Sequence, residues 1–471
     1  MEKDQKDKLN LTGLFFVTLL SRIPFLFVGF GAEEDSWGIV RAVRHNFEYG
    51  GYEPSRFPGH PIHEAVYLLG ANEGPVFYNG LTALMSAFAV LFFAMSLRKL
   101  GVKSYLYASY ALAFVPVFFI SSTYTIDYNW TLAFTMISFY FLLDDKFILS
   151  GMFLGFACGC RITAGAMLIP YLVYIYYNRK KLNVLLDMLF SFCITTFLAF
   201  LPLIVVYKSK FLSFYDQFGY PSYAKVFYKG TIGVFGLIGC IGIVLALIIL
   251  VKNKFKSKGL FNFSKDLPSK FIGICVLVIV IYLLAYLRLP QKSGYLVQIL
   301  PFVILLFAIF LEKKYFHWLC LSFMISSFLF SINLMDEKRG SMHSKFVYTF
   351  HVSGQEIFFD PFTGPIYADY TKRIQKAAFT EEVIKKYKEN QYTPMIIISG
   401  WWCNEINVIL KERKLIRKLS PFVSYWGMPN IMNDAKHGIE VYYLPEQDKF
   451  NDEYAKINFT DSVAKPFLDE K

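Results

Sequence analysis

The chain has 471 residues, 55% of them hydrophobic and 19% aromatic against only 18% charged, and its mean hydropathy is +0.40. A water-soluble core cannot hide that much apolar surface, so a soluble globular protein is excluded and a polytopic membrane protein remains. The formal charge of +12 is carried mostly by short loops between apolar segments, which suits an anionic lipid bilayer, and no nucleic acid, as partner.

The N-terminus is charged and then enters an apolar stretch without a small-residue cleavage site, which reads as a retained first helix. A crossing takes roughly 20 apolar residues for about 30 Å of hydrocarbon. With that window the segments fall near 11–30, 76–97, 104–122, 126–143, 147–160, 162–178, 184–207, 231–251, 271–287, 296–311 and 315–333, about eleven helices in all. The two that flank Arg161 are short. If each is a crossing, the basic clusters Lys3/Lys6/Lys8, Arg98/Lys99/Lys103, Arg179/Lys180/Lys181, Lys252/Lys254/Lys256/Lys258 and Lys313/Lys314 share one side. The positive-inside rule makes that side cytoplasmic, with the N-terminus.

The opposite, outer face then receives the large first loop 31–75, the 121–128 turn, Arg161, the 208–230 loop, the stretch Arg288 to Tyr295 and everything after residue 335. Residues 1–335 thus read as an all-α membrane domain and 336–471 as a small α/β soluble domain on the outer face. In the latter, Asp360 to Pro365 reads as a turn, Thr380 to Asn390 as a helix, Pro394 to Ser399 as a buried strand, Asn404 to Leu415 as a helix and Gly438 to Leu444 as a strand. Trp401 and Trp402 after the first strand suit core packing, an interface anchor or a ligand platform alike. Of seven cysteines only Cys403 lies in the outer domain, so no outer disulfide pair is available. Cys158 and Cys160 read as small helix-packing residues.

Ionisable groups at or just outside bilayer depth are costly and mark candidate functional sites. Here they come from distant segments but share one face. Glu33, Glu34 and Asp35 follow the first helix. Ser55-Arg56-Phe57-Pro58-Gly59-His60-Pro61 leads to Glu64, Asp127 sits in a short turn, Arg161 interrupts an apolar run, and Arg288-Leu289-Pro290-Gln291-Lys292-Ser293-Gly294-Tyr295 opens a late helix. Asp127 either caps the helix that follows it or serves the acceptor or a cation. Arg161 either pairs structurally with a carboxylate or meets a phosphate.

In order and in common side these pieces resemble the GT-C superfamily of integral-membrane glycosyltransferases, which includes protein O-mannosyltransferases, aminoarabinose transferases and oligosaccharyltransferases. The resemblance covers the whole membrane domain. It implies an inverting transfer of a sugar from a polyprenyl-phosphate donor to a glycan, lipid or protein acceptor at the outer face. A phosphate is a good leaving group, so such an enzyme needs a base for the acceptor hydroxyl and cations for the departing charge, without a general acid. Asp35 matches the first-loop carboxylate, with Glu34 as the alternative base. Arg161, Arg288 and Lys292 are the expected donor-phosphate ligands, with Tyr295 as hydrogen-bond partner, and Arg56, Glu64 and Asp127 complete the expected substrate-binding set.

A monophosphate donor requires no cofactor. A divalent metal is an alternative, since some relatives with pyrophosphate donors use one and since His60, His63 and Glu64 are potential ligands, although their spacing is not the His-Glu-x-x-His zinc pattern. The triplets Asn10-Leu11-Thr12, Asn129-Trp130-Thr131 and Asn458-Phe459-Thr460 match glycan acceptors, and only the last is placed accessibly. Two rivals come from other classes: a transporter or flippase of lipid-linked substrates, which often shows inverted repeats and helices interrupted at mid-membrane, whereas here the polar groups collect at one face and no repeat is visible, and a non-catalytic scaffold that binds lipid phosphate. The short outer loops and the lack of an outer disulfide favour a bacterial inner membrane, with the C-terminal domain in the periplasm.

Overall fold

The computed structural model describes residues 2–179, 182–212, 219–256, 270–336, 347–352, 355–389, 395–415, 422–424, 439–444 and 465–468. Lys180, Lys181, Lys258, Asn390, Pro394, Gly438 and the triplet Asn458 to Thr460 lie outside these residues, as does the side chain of Trp401.

Residues 21–30 at the end of the first hydrophobic segment form turns and a short 3-10 helix, and residues 331–333 at the end of the last form strand, but each segment contains α-helices. In chain order these are α1 (Glu2–Leu20), the two loop helices α2 (Glu34–Tyr49) and α3 (Pro61–Tyr67), then α4 (Pro75–Lys99), α5 (Tyr105–Phe114), α6 (Pro116–Ser121), α7 (Tyr128–Leu143), α8 (Phe147–Cys160), α9 (Leu168–Arg179), α10 (Leu182–Tyr207), α11 (Tyr223–Gly230), α12 (Ile232–Lys256), α13 (Lys270–Arg288), α14 (Leu300–Phe310) and α15 (Lys313–Ser326). Among the described residues five helical stretches are long and apolar enough to cross a membrane: Pro75–Lys99, Leu182–Leu212, Ile232–Lys252, Phe271–Arg288 and Ser293–Phe310.

The other segments are shorter or interrupted, for local reasons. The segment 104–122 breaks at Val115, which takes an extended conformation (φ −60°, ψ 132°) before Pro116, as the residue preceding a proline prefers. The break frees the carbonyls of Ala113 and Phe114. The guanidinium of Arg22 donates to the first and the Ser327 hydroxyl to the second, so these two buried carbonyls are paired. Arg22 is itself fully buried, over the ring of Phe119 at 4.2 Å.

Close packing of α8 on α10 sets the position of the Arg161 end. Gly151, Gly155 and Gly159 recur every four residues, so they fall on one helix face, the small-residue stripe that lets helix backbones approach in a bilayer. A Cβ at Gly151 would meet Met188 O at 2.4 Å, at Gly155 the Thr195 side chain at 2.6 Å, and at Gly159 both Ile62 of α3 and Ala199. Buried Cys158 and Cys160 lie in the same stretch.

The C-terminal part is α/β. β1 (Ser331–Asp336), β2 (Tyr348–Val352) and β3 (Gln355–Asp360) form an antiparallel sheet in the order β1-β3-β2, so the sheet begins a few residues before position 335. An Asx turn, Asp360 accepting from the N–H groups of Phe362 and Thr363 at 2.9 Å each, leads into α16 (Pro365–Glu389). β4 (Met395–Ile398), α17 (Cys403–Glu412), β5 (Phe422–Ser424), β6 (Glu440–Tyr443) and β7 (Lys465–Pro466) follow, the strands forming a parallel sheet in the order β5-β4-β6-β7. Its core gathers Val383 and Tyr387 of α16, Ile397 of β4, Ile406 of α17 and Trp402. Trp402 packs edge-on to Phe379 at 5.3 Å, which is the core-packing role.

Candidate active site

α2 begins at Glu34, so Glu33 to Asp35 stand at the start of a helix whose first turn favours negative charge. One Asp35 oxygen, Oδ2, accepts from Arg56 Nη1 at 2.6 Å and from Lys292 Nζ at 2.5 Å. Lys292 also reaches Glu33 Oε2 at 2.6 Å. Burial alone pushes the Asp35 carboxyl up, but Arg56 and then Lys292 overcome it and hold it below the usual carboxylate range. Asp35, Arg56, Lys292 and Glu33 are each between a fifth and a third exposed, so this part of the cluster is open to a ligand.

A second, closed part lies behind it. Asp127 is fully buried, and its Oδ2 accepts from Arg161 Nη1 at 2.7 Å. Its side chain makes no bond to the first turn of α7, so it binds a cation rather than capping the helix. Arg161 lies over the rings of Tyr128 and Tyr295, at 5.0 and 4.7 Å. The two parts meet at Arg56, whose Nη2 is 3.9 Å from Asp127 Oδ1 and whose Nε donates to His60 Nε2 at 3.1 Å. His60 then carries its proton on Nδ1 and donates it to Cys160 O at 2.7 Å.

Glu64 has a different task. It is buried, and its carboxylate accepts from the Ser55 N–H at 3.0 Å, the Ser55 hydroxyl at 2.6 Å and the Tyr52 hydroxyl. Those bonds fix the loop that presents Arg56. Arg288 is exposed at the end of α13, whereas Lys292 four residues later turns into the cluster.

Glu34 points away from Asp35. It is buried, and its Oε1 accepts from the Asn404 N–H at 2.7 Å, in the first turn of α17, where a helix end attracts an anion. Burial, opposed mainly by Lys376, pushes its carboxyl up to about 8. Lys376 donates to Ala32 O at 3.4 Å and pairs with Glu405 at 3.0 Å. Arg373 donates to Phe25 O at 3.0 Å and Thr123 O at 3.2 Å, and Tyr124 donates to Asp369. The C-terminal unit therefore grips the loops on both sides of the carboxylate motif.

Among the described residues no three His, Cys, Asp or Glu side chains gather as a metal site would need. His60 and Glu64 spend their polar atoms as above, and His63 is enclosed by Tyr67 and Trp130.

The residues that sequence reasoning placed at the site mostly converge: Asp35, Arg56, Asp127, Arg161, Lys292 and Tyr295. It missed Glu33 as a partner of Lys292, His60 as the link between Arg56 and Cys160, and every contribution from α16 and α17. The outward signal for the last was nil, because Asn404 and Glu34 are 370 residues apart.

No family model matches the sequence, and no curated protein matches it either. The fold is similar to that of ArnT from Cupriavidus metallidurans. A crystal structure of that protein bound to undecaprenyl phosphate superposes with a TM-score of 0.51 at 10% identity, over 97% of this chain and 88% of that one. Its apo crystal structure gives a TM-score of 0.49 at 10% identity, over 96% and 95%. The helical membrane architecture expected from the sequence thus has a solved counterpart in fold.

Proposed function

We propose that this chain is an inverting membrane glycosyltransferase that moves a sugar from a polyprenyl-phosphate donor to a glycan, lipid or protein acceptor at the outer face of a bacterial inner membrane. The observation that carries the reading is the half-open cluster in which Arg56 and Lys292 converge on Asp35, with Arg161 behind them. The shared fold with a protein crystallised with undecaprenyl phosphate supports a lipid-phosphate ligand.

In this reading Asp35 takes the proton of the acceptor hydroxyl. The hydroxyl oxygen forms a bond to the anomeric carbon from the side opposite the phosphate, the carbon–oxygen bond to phosphate breaks, and polyprenyl phosphate leaves with the bonding electrons. Arg56 and Lys292 meet the charge that develops on the phosphate, and no general acid is needed. While Asp35 holds both cations it is a poor base. A donor phosphate competes for them, and the more of their charge it draws away, the more basic Asp35 becomes. The cluster thus couples donor binding to activation of the base. Glu34, turned toward α17, is better suited to position the motif than to accept the proton. No step in this scheme calls for a metal.

The test is mass spectrometry of envelope glycans and polyprenyl-linked intermediates in cells lacking the protein, complemented with wild type or Asp35→Asn at equal membrane abundance. Null and Asp35→Asn cells are expected to lack the same sugar and to accumulate its donor. Full complementation by Asp35→Asn would leave the transporter and scaffold readings in front.

A further inference from the structure

The antiparallel sheet of the C-terminal part is two-faced. Its register places Ile332 and Leu334 of β1, Ile357 and Phe359 of β3, and Tyr348 and Phe350 of β2 on one side. The opposite side carries Asn333, Phe358, Asp360, Thr349 and His351, and Asn333, Phe358 and Asp360, joined by Ile332 at the β1 edge, line a cavity of about 240 Å³ against α11, α12 and α16. The edge strand β2 is exposed on both sides, and its apolar side presents Tyr348, Phe350 and Val352, 60%, 52% and 52% exposed. A soluble domain would not leave such a face open to water without a partner.

What lies next to it identifies the partner. α15 has 14 residues, or about 21 Å of helix, which would need lengthening to span roughly 30 Å of hydrocarbon. The apolar stretch is prolonged by exposed Phe328 and Leu329 and by Phe330, whose ring stacks on Phe359 at 6.2 Å, and so leads directly into β1. The short helix α11 lies beside β1, with Tyr223 and Phe227 exposed, and Tyr228 donates to the β1 carbonyl of Ile332 at 2.7 Å. The apolar side of the sheet thus lies beside the exposed apolar side chains at the ends of α15 and α11. Its open strand edges exclude it from the hydrocarbon itself, where unpaired backbone groups are not tolerated, but not from the interface, where aromatic side chains concentrate.

We infer that the β1-β3-β2 sheet is a membrane-interface platform, lying on the lipid headgroups of the leaflet nearest the charged cluster with Tyr348, Phe350 and their neighbours in the upper acyl region. It holds the C-terminal unit down on the bilayer independently of the transfer reaction.

The test replaces Phe350 or, on the opposite side of the same strand, His351 with a benzophenone amino acid in the full chain, reconstituted in vesicles of phosphatidylethanolamine and phosphatidylglycerol. On irradiation the phospholipid adduct at position 350 is expected to exceed that at 351 severalfold. Equal yields, no adduct at 350, or predominant chain-to-chain products at 350 would overturn the proposal, the last in favour of a second copy on this face. Phe350→Trp gives a separate reading: lipids brominated near the headgroup end of the chain quench its added fluorescence more than lipids brominated at the chain terminus, and failure of either to quench it would count against the platform.

Discussion

Lys292 Nζ lies 2.5 Å from Asp35 Oδ2 across 257 residues of sequence, and the same oxygen accepts from Arg56. The carboxylate thus occupies the place that a donor phosphate would take between those two cations.

That competition has an unusual consequence for binding. Asp35→Asn removes the resident anion, so this variant is expected to bind undecaprenyl phosphate at least as tightly as wild type while losing transfer. Lys292→Gln is expected to bind it more weakly and to lower transfer by about 100-fold, the usual scale for removing one group that stabilises developing charge. Thermal stabilisation of the purified protein by added undecaprenyl phosphate measures the first effect and product formation the second. Weaker phosphate binding by Asp35→Asn would show that the cations need Asp35 to hold them in place.

Asp127 and Arg161 form the enclosed counterpart of that pair. Asp127 has no exposure and its partner little, so removing either alone leaves a buried charge without its nearest partner, a loss of up to about 3–5 kcal/mol. Asp127→Ala and Arg161→Met should each lower the unfolding temperature in detergent more than the double variant does. If the losses simply add, the two residues do not act as a pair.

Much of this was legible in the sequence because the bilayer imposes simple rules. Hydropathy found the apolar helices, though not α2, α3 or α11, and the cost of charge at membrane depth singled out Asp127, Arg161 and Lys292. The breaks were less visible: Pro116 was in plain sight, but that Arg22 and Ser327 would satisfy the freed carbonyls depended on tertiary contacts. Glu64 read as a substrate ligand because its sequence cannot reveal Tyr52 and Ser55 already bound to it. Local propensity also gave no hint that the helix around Thr380 starts as early as Pro365, since its first turns are held by Phe25, Thr123 and Tyr124 of distant segments.

The glycine stripe of α8 offers a test of packing apart from charge. Gly155→Val places atoms where Thr195 already stands, at 2.6 Å from the first added carbon, and overpacking of this kind costs about 1–3 kcal/mol. Gly80→Ala, with nothing within 4 Å of the added carbon, is the matched control and should leave the unfolding temperature unchanged or raise it slightly, as alanine in a helix interior does. Equal behaviour of the two variants would mean that α8 and α10 do not meet along this stripe.

Glu34 ties stability to pH. Its carboxyl titrates near 8 in the folded protein and near 4.5 when exposed. A raised carboxyl is held protonated by the fold, so the unfolded chain loses its proton first as pH rises. Between about 4.5 and 8 the folded state therefore binds more protons than the unfolded one, and the contribution of this site to stability falls across that window. Glu34→Gln keeps an acceptor for the Asn404 N–H and cannot ionise. Its unfolding temperature should match that of wild type near pH 5 and exceed it near pH 8, with transfer reduced far less than by Asp35→Asn. A variant as inactive as Asp35→Asn would return Glu34 to the role of base, and an unfolding curve with the same pH dependence as wild type would mean that the buried carboxyl at α17 is ionised throughout.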